Sequence, residues 1–235
     1  MGEVVVDEYG TDRDLLESIS ATARRIADLD NLQDTLQEIV AAAEDLLAHC
    51  DGASLMLVSK GRRVDSPASS SPVAIDSDHA QYEADEGPCL DAIADERTVV
   101  IDDLESDDRW PAYRERALAL GVRSTISFRL FASEVTLGAL NLYSRTPHAF
   151  DERSQLVGQV FATHASIAMR AAMTEAGLHT TIRSRDVIGQ AKGIIMARHH
   201  MTADMAFDLL RRVSQDRNRK LVELAHEVVE TGQLP

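Results

Sequence analysis

The segment RRVSQDRNRK, residues 211–220, puts Arg211, Arg212, Ser214, Gln215, Asn218, Arg219 and Lys220 within ten positions, with Asp216 as its single acid. Upstream, Arg185 and Lys192 stand seven residues apart and so share one face of a helix. Cationic side chains neutralise phosphates, and amides and hydroxyls bond to base edges. This chemistry is recognition of an anionic partner. Spacing alone leaves RNA, DNA and an acidic protein surface equally open. It also fits an ordinary solvated face, because Asp208 lies three and four residues before Arg211 and Arg212, and Asn218 is a helix-capping residue type.

Charge along the 235 residues isolates this segment. Residues 181–235 hold nine Lys/Arg and seven Asp/Glu, a net of +2, within a chain of net charge -15. The remainder is therefore at -17, which points the anionic partner to the C-terminal part only. The two cysteines, Cys50 and Cys89, make neither a disulfide framework nor a metal-binding spacing. His199 and His200 are adjacent and have no companion ligands, so no metal site is expected. No cofactor signature occurs, and there is no phosphate-cradling glycine loop, nucleophile elbow or kinase-type motif. No run approaches the ~20 apolar residues that span a bilayer. The N-terminus lacks a secretory pattern, and a cytoplasmic location is the expectation.

The elements that must position these residues fall into two groups. Residues 1–10 read as a frayed start, 12–28 as a helix, and Asn31 as the cap of a second helix carrying Leu36, Ile39, Val40 and Ala43. Asp51-Gly52 reads as a turn before the strand ASLMLVS. VDSPASSSPVAID reads as a proline-punctuated loop leading to a short helix near 72–82, and Pro88 opens another helix. TVVID is a strand, RWPAYRERALAL a helix closed by Gly121, and VRSTISFRL and TLGALNLYS are strands joined at SEV. Phe150 and Asp151 then act as staple and cap of a helix running to about 174. The order gives an α/β domain with a mainly antiparallel sheet and flanking helices, ending near 172.

Beyond Gly177 only helices are expected: 178–199, one capped by Thr202, and one capped by Asn218 and ended by Gly232. Ile188, Ala191 and Ile195 face inward from the first of these. Ala206, Leu209, Leu210 and Val213 do so from the second, and Leu221, Leu224, Ala225 and Val228 from the third. Gly189 and Gly193 lie on one helix face, where close helix packing is the expected reason for them.

Residues 185–229 resemble an ANTAR domain, a three-helix RNA-binding module of bacterial transcription antiterminators. The resemblance rests on AKGIIM at 191–196, Ala206-Phe207, LLRRVSQ at 209–215, Asn218 and Lys220-Leu221. Residues 32–172 resemble a GAF domain, a small-molecule-sensing α/β fold, through ASLMLVS, EGPCLDAI at 86–93 and TLGALNLYSRTPHAFDE at 136–152. The combination resembles GAF-ANTAR regulators of actinobacterial type. It implies an N-terminal helical segment at 1–30, a GAF sensor at 31–172 and an all-α ANTAR bundle at 173–235.

The resemblance further implies binding to tandem hairpins in nascent RNA through the basic residues above. It implies an unknown small-molecule ligand at the GAF domain and control through a homodimer, for which the N-terminal helix and the helix through 151–199 are the candidate elements. Liners implied for the GAF pocket are Tyr82, Cys89, Arg109, Trp110, Ser124 and Asn141, with Trp110 alternatively a core anchor. His148 and Ala149 replace the Asn and Lys of the cyclic-nucleotide motif, so that ligand is not implied. Two alternatives stay open. One is a non-regulatory thiol enzyme resembling free methionine sulfoxide reductases, using Cys89 with its pKa lowered at a helix N-terminus. The other is a protein-signalling dimer with a degenerate ANTAR tail.

Overall fold

The computed structural model describes residues 12–59, 63–95 and 98–234. The expected frayed start at 1–10 lies outside them. The chain divides into two compact units between Met173 and Thr174.

In the first unit, α1 (Asp12–Ala27) is followed by α2 (Leu32–Leu46), whose start is set by the Asn31 side chain accepting from the Asp34 amide. Strands β1 (Gly52–Ser59) and β2 (Arg63–Ser69) lead to α3 (Pro72–Ala84) and α4 (Pro88–Asp95). Then come β3 (Val99–Ile101), α5 (Pro111–Ala119), β4 (Ser124–Ala132) and β5 (Val135–Ser144). The sheet runs β2-β1-β5-β4-β3, with every neighbouring pair antiparallel.

Strand alternation sorts the central strands between two cores. Leu55, Ile126, Phe128, Leu140 and Leu142 join Ile39 and Val40 of α2 and Phe161 and Met169 of α6 (Glu152–His199). The intervening Met56 and Ala139 meet Cys89, while Tyr143 joins Trp110, Tyr113 and Ile101 beneath α3 and α5. Ser54 and Asn141, on those alternate positions, are fully buried. At Gly138 of β5, an added Cβ would lie 1.8 Å from the Met56 carbonyl oxygen, so β1 and β5 approach closely only because this residue is glycine.

The structure departs from two expectations. VDSPASSSPVAID is not all loop, because residues 64–69 belong to β2. Its register slips opposite Met56, where Ser66 and Pro67 face a single residue. A proline lacks the ladder N–H, and an edge position with a bulge removes the need for it. Nor does Gly177 separate two helices, since α6 continues through it as one 48-residue helix. A helical glycine costs only ~1 kcal/mol, too little to stop a helix without capping geometry.

In the second unit, the last part of α6 forms a bundle with α7 (Ala203–Asp216) and α8 (Leu221–Thr231). Its core is Ala191, Ile195, Ala206, Leu210, Ala225 and Val228, with Leu224 also fully buried. Thr202 caps α7 by accepting from the Met205 amide, and Gly232 ends α8 at φ 69°.

Candidate nucleic-acid interface and buried sensor cluster

The basic segment spans the end of α7 and the turn into α8. Asn218 is not the cap of α8 as expected. It sits at φ 49° inside the turn, and Lys220 takes the N-cap position without a side-chain bond. Asparagine tolerates the left-handed region better than most residues, and here that property outweighs its capping preference. Ser214 locks the turn: its hydroxyl donates to the Arg219 carbonyl at 2.6 Å, and the Arg219 amide donates back to the Ser214 carbonyl at 3.0 Å.

The cations divide by their partners. Arg219 pairs with Glu227 at 2.6 Å, and Arg211 with Asp208 at 2.8 Å. Among the described residues, Arg185, Lys192, Arg212 and Lys220 make no ion pair. Arg185, Arg212, Gln215 and Lys220 are exposed. Lys192 is half-buried, with its Nζ 5.7 Å from the centre of the Phe207 ring, a cation–π contact between α6 and α7. Phe207 and Arg212 are five residues apart, about 140° around the helix. The expected site therefore presents two faces of α7: one carries Phe207 beside Lys192 of α6, the other Arg212 and Gln215.

Gly189 and Gly193 are exposed, and beyond the neighbouring backbone of α6 itself no atom of the described residues lies within 4 Å of the Cβ position of either. Among the described residues they are not packed against another helix, which corrects that expectation. Their lack of side chains instead leaves the α6 surface beside Lys192 unobstructed.

The first unit holds a buried polar cluster that sequence reading missed. Asp78 of α3 is fully buried. Its carboxylate accepts from Ser54 Oγ at 2.9 Å, Ser66 Oγ at 2.5 Å, Asn141 Nδ2 at 3.0 Å and the Tyr143 hydroxyl at 2.5 Å. Burial raises its pKa, and the four hydrogen bonds oppose that rise. One turn on, Gln81 Nε2 donates to the Tyr143 hydroxyl at 3.1 Å, and Gln81 Oε1 accepts from the Cys89 amide at 2.8 Å. The clue in the sequence was Asp78, Gln81 and Tyr82 at helical spacing opposite polar alternates in otherwise apolar strands.

Of the six expected pocket liners, Tyr82, Cys89 and Asn141 come to this cluster. The Tyr82 hydroxyl lies 2.5 Å from Ser66 Oγ. Arg109, Trp110 and Ser124 have other attachments. The Arg109 guanidinium is 4.3 Å from the Trp110 ring centre and pairs with Asp107 at 2.5 Å. Trp110 is buried in the core, and its Nε1 donates to Asp91 at 3.2 Å. The Ser124 hydroxyl donates to the Thr146 carbonyl at 2.7 Å.

Cys89 does head α4, but the lowered pKa expected there does not arise. Burial pushes its thiol well above the ordinary value, and its Sγ lies 3.0 Å from Met56 Sδ. Burial likewise pushes Cys50 up to about 12.

Residues 30–170 match the GAF domain family model. The chain belongs to the GAF domain family. Residues 176–229 match the ANTAR domain model, so the GAF domain is followed by an ANTAR domain, as in a GAF–ANTAR regulator. Comparison with curated proteins returned no match.

Solved structures share the fold of the GAF domain. The GAF domain of an Acinetobacter phosphoenolpyruvate-protein phosphotransferase is 16% identical at a TM-score of 0.54, covering 69% of this chain and 97% of its own. Free methionine-R-sulfoxide reductase from Neisseria meningitidis is 18% identical at 0.56, covering 69% and 92%. Bacteriophytochrome RpBphP3 from R. palustris is 11% identical at 0.59, covering 81% and 43%. At these identities the likeness is one of fold. No helix among the described residues is long and apolar enough to cross a membrane.

Proposed function

We propose that this GAF–ANTAR protein is a signal-responsive, RNA-binding transcription antiterminator of the cytoplasm. Residues 31–172 serve as sensor and 173–235 bind tandem hairpins in nascent RNA. The observation that carries this reading is a group of cations in the ANTAR domain without ion pairs among the described residues, Arg185, Lys192, Arg212 and Lys220 among them, on a unit whose acids are partly taken up by Arg211 and Arg219. Unpaired cations are free to replace the counterions of phosphates. Gln215 and Asn218 add base-edge partners beside them.

On the GAF side, the Asp78 cluster with Tyr82, Cys89 and Asn141 is where a small-molecule ligand of the sensor acts. Asn141 Oδ1 and the Tyr113 hydroxyl are buried there without a hydrogen-bond partner among the described residues, which leaves polar capacity for a ligand to satisfy. A homodimer is supported by Leu156, Val160 and Ile167, exposed at 67%, 38% and 65% along one face of α6. Sedimentation of an Ile167→Lys variant as a monomer, beside a dimeric parent, is the result expected for that face.

The deciding experiment is crosslinking of the protein to RNA in its host, followed by sequencing of the bound fragments. Enrichment of paired hairpins ahead of terminators is expected. Recovery of no RNA above background would overturn the reading.

A further inference from the structure

Along the outer face of α7 lies a hollow of about 570 Å³ that the cationic set alone does not explain. Met201, Met205 and Leu209 supply its apolar lining, and Asp208, Arg211, Arg212 and Gln215 its polar one. Met205 is 57% exposed, one of the large apolar side chains that the fold leaves uncovered. The volume lies within the ~300–1,000 Å³ usual for ligand sites.

We propose that this hollow receives an unstacked base from the loop of a bound RNA hairpin. The inference rests on the RNA-binding reading and names the part of the RNA that this face of the ANTAR domain takes. A nucleobase has flat, polarisable faces and a hydrogen-bonding edge, and it is joined to phosphates on both sides. Each feature has a counterpart here. Thioethers make favourable contacts with aromatic faces, and Met205 and Met201 offer two of them. Asp208 accepts from a base amino group, and its pairing with Arg211 at 2.8 Å holds it at the rim. Gln215 both donates and accepts. Arg212, without an ion pair among the described residues, meets the adjoining phosphate. Loop bases that are splayed out and stacked on side chains are the usual means of sequence-specific RNA recognition. A base also suits the charge of this region, residues 181–235 being at +2 where the rest of the chain is at -17.

The test starts from a pool of two-hairpin RNAs with randomised loops, enriched on the full wild-type chain. Each loop nucleotide of an enriched RNA is then replaced by an abasic site. Binding is measured for the wild type, Met205→Ala and Met205→Leu. Met205→Ala weakens binding of the intact RNA about tenfold, the scale of one lost base stack. One abasic position weakens the wild type similarly, and at that position Met205→Ala causes no further loss. Met205→Leu, which keeps the apolar floor, retains most of the affinity. Independent effects of Met205→Ala and every abasic position overturn the inference while leaving RNA binding standing. Unchanged affinity in Met205→Ala does the same. A pool that does not enrich at all removes both the inference and the reading beneath it.

Discussion

The Tyr143 hydroxyl donates to the Asp78 carboxylate at 2.5 Å, joining β5 to α3 across 65 residues in a fully buried site. Neither residue reaches water, so the charge of Asp78 is stabilised only by what the protein supplies. Burial is the larger influence and raises the pKa.

That direction sets a pH dependence. An unfolded aspartate titrates near about 3.9. With a raised folded-state pKa, Asp78 holds its proton in the native state after the unfolded chain has released its own. The proton taken up on folding adds stability that is complete below the unfolded pKa and is lost as pH rises through the folded one. Urea unfolding of the wild type and Asp78→Asn, from about pH 4 to about pH 7, is expected to show the wild type losing stability relative to the variant. A constant difference across that range would contradict the raised pKa.

The thiols make a second prediction. With Cys50 pushed up to about 12 and Cys89 well above its ordinary value, both are protonated near neutral pH, and the thiolate is the nucleophile. The native protein should react slowly with Ellman's reagent, and both cysteines should react at once in denaturant. Cys89 should remain a thiol after a peroxide challenge. Rapid oxidation of native Cys89 would revive the reductase-like alternative.

Two glycines should respond in opposite directions. Gly138→Ala drives a methyl into the Met56 carbonyl, a backbone atom of the paired strand, and should cost about 3 kcal/mol or prevent folding. Gly177→Ala meets nothing within 4 Å in the exposed middle of α6, and should gain up to about 1 kcal/mol. Urea midpoints measure both. No gain at Gly177 would argue against a continuous α6.

The cations of the ANTAR domain are separable by salt. Lys192→Ala and Arg212→Ala should each lower RNA affinity, and each should reduce the slope of log affinity against log salt by about 1. Circular dichroism should show the fold intact. An unchanged slope in both variants would remove these residues from the phosphate contacts.

The helix starts were legible because their signals are local. Asn31, Asp151 and Thr202 each cap an amide three residues ahead, a distance the sequence shows directly. The alternation in β4 and β5 was legible for a similar reason: Ile126, Phe128, Leu140 and Leu142 record their own burial by their spacing. Arg211 and Asp208 were spaced for an intrahelical pair and form one. The ordered ANTAR residues likewise revealed the second domain through their identities and order.

Where the outcome depended on distant partners, only tertiary structure could decide it. The serines and proline of β2 carry no periodic pattern, and they become a strand because β1 offers an unpaired edge. Asn218 could cap or turn, and the bonds between Ser214 and Arg219 selected the turn. Phe207 and Lys192 lie fifteen residues apart on different helices, and only the bundle sets one beside the other. The Asp78 cluster draws on β1, β2, α3 and β5, so no single stretch of sequence contains it. Capping and alternation are settled within a few residues by backbone geometry. A buried charge is settled by which groups the fold gathers around it, and that depends on the whole domain.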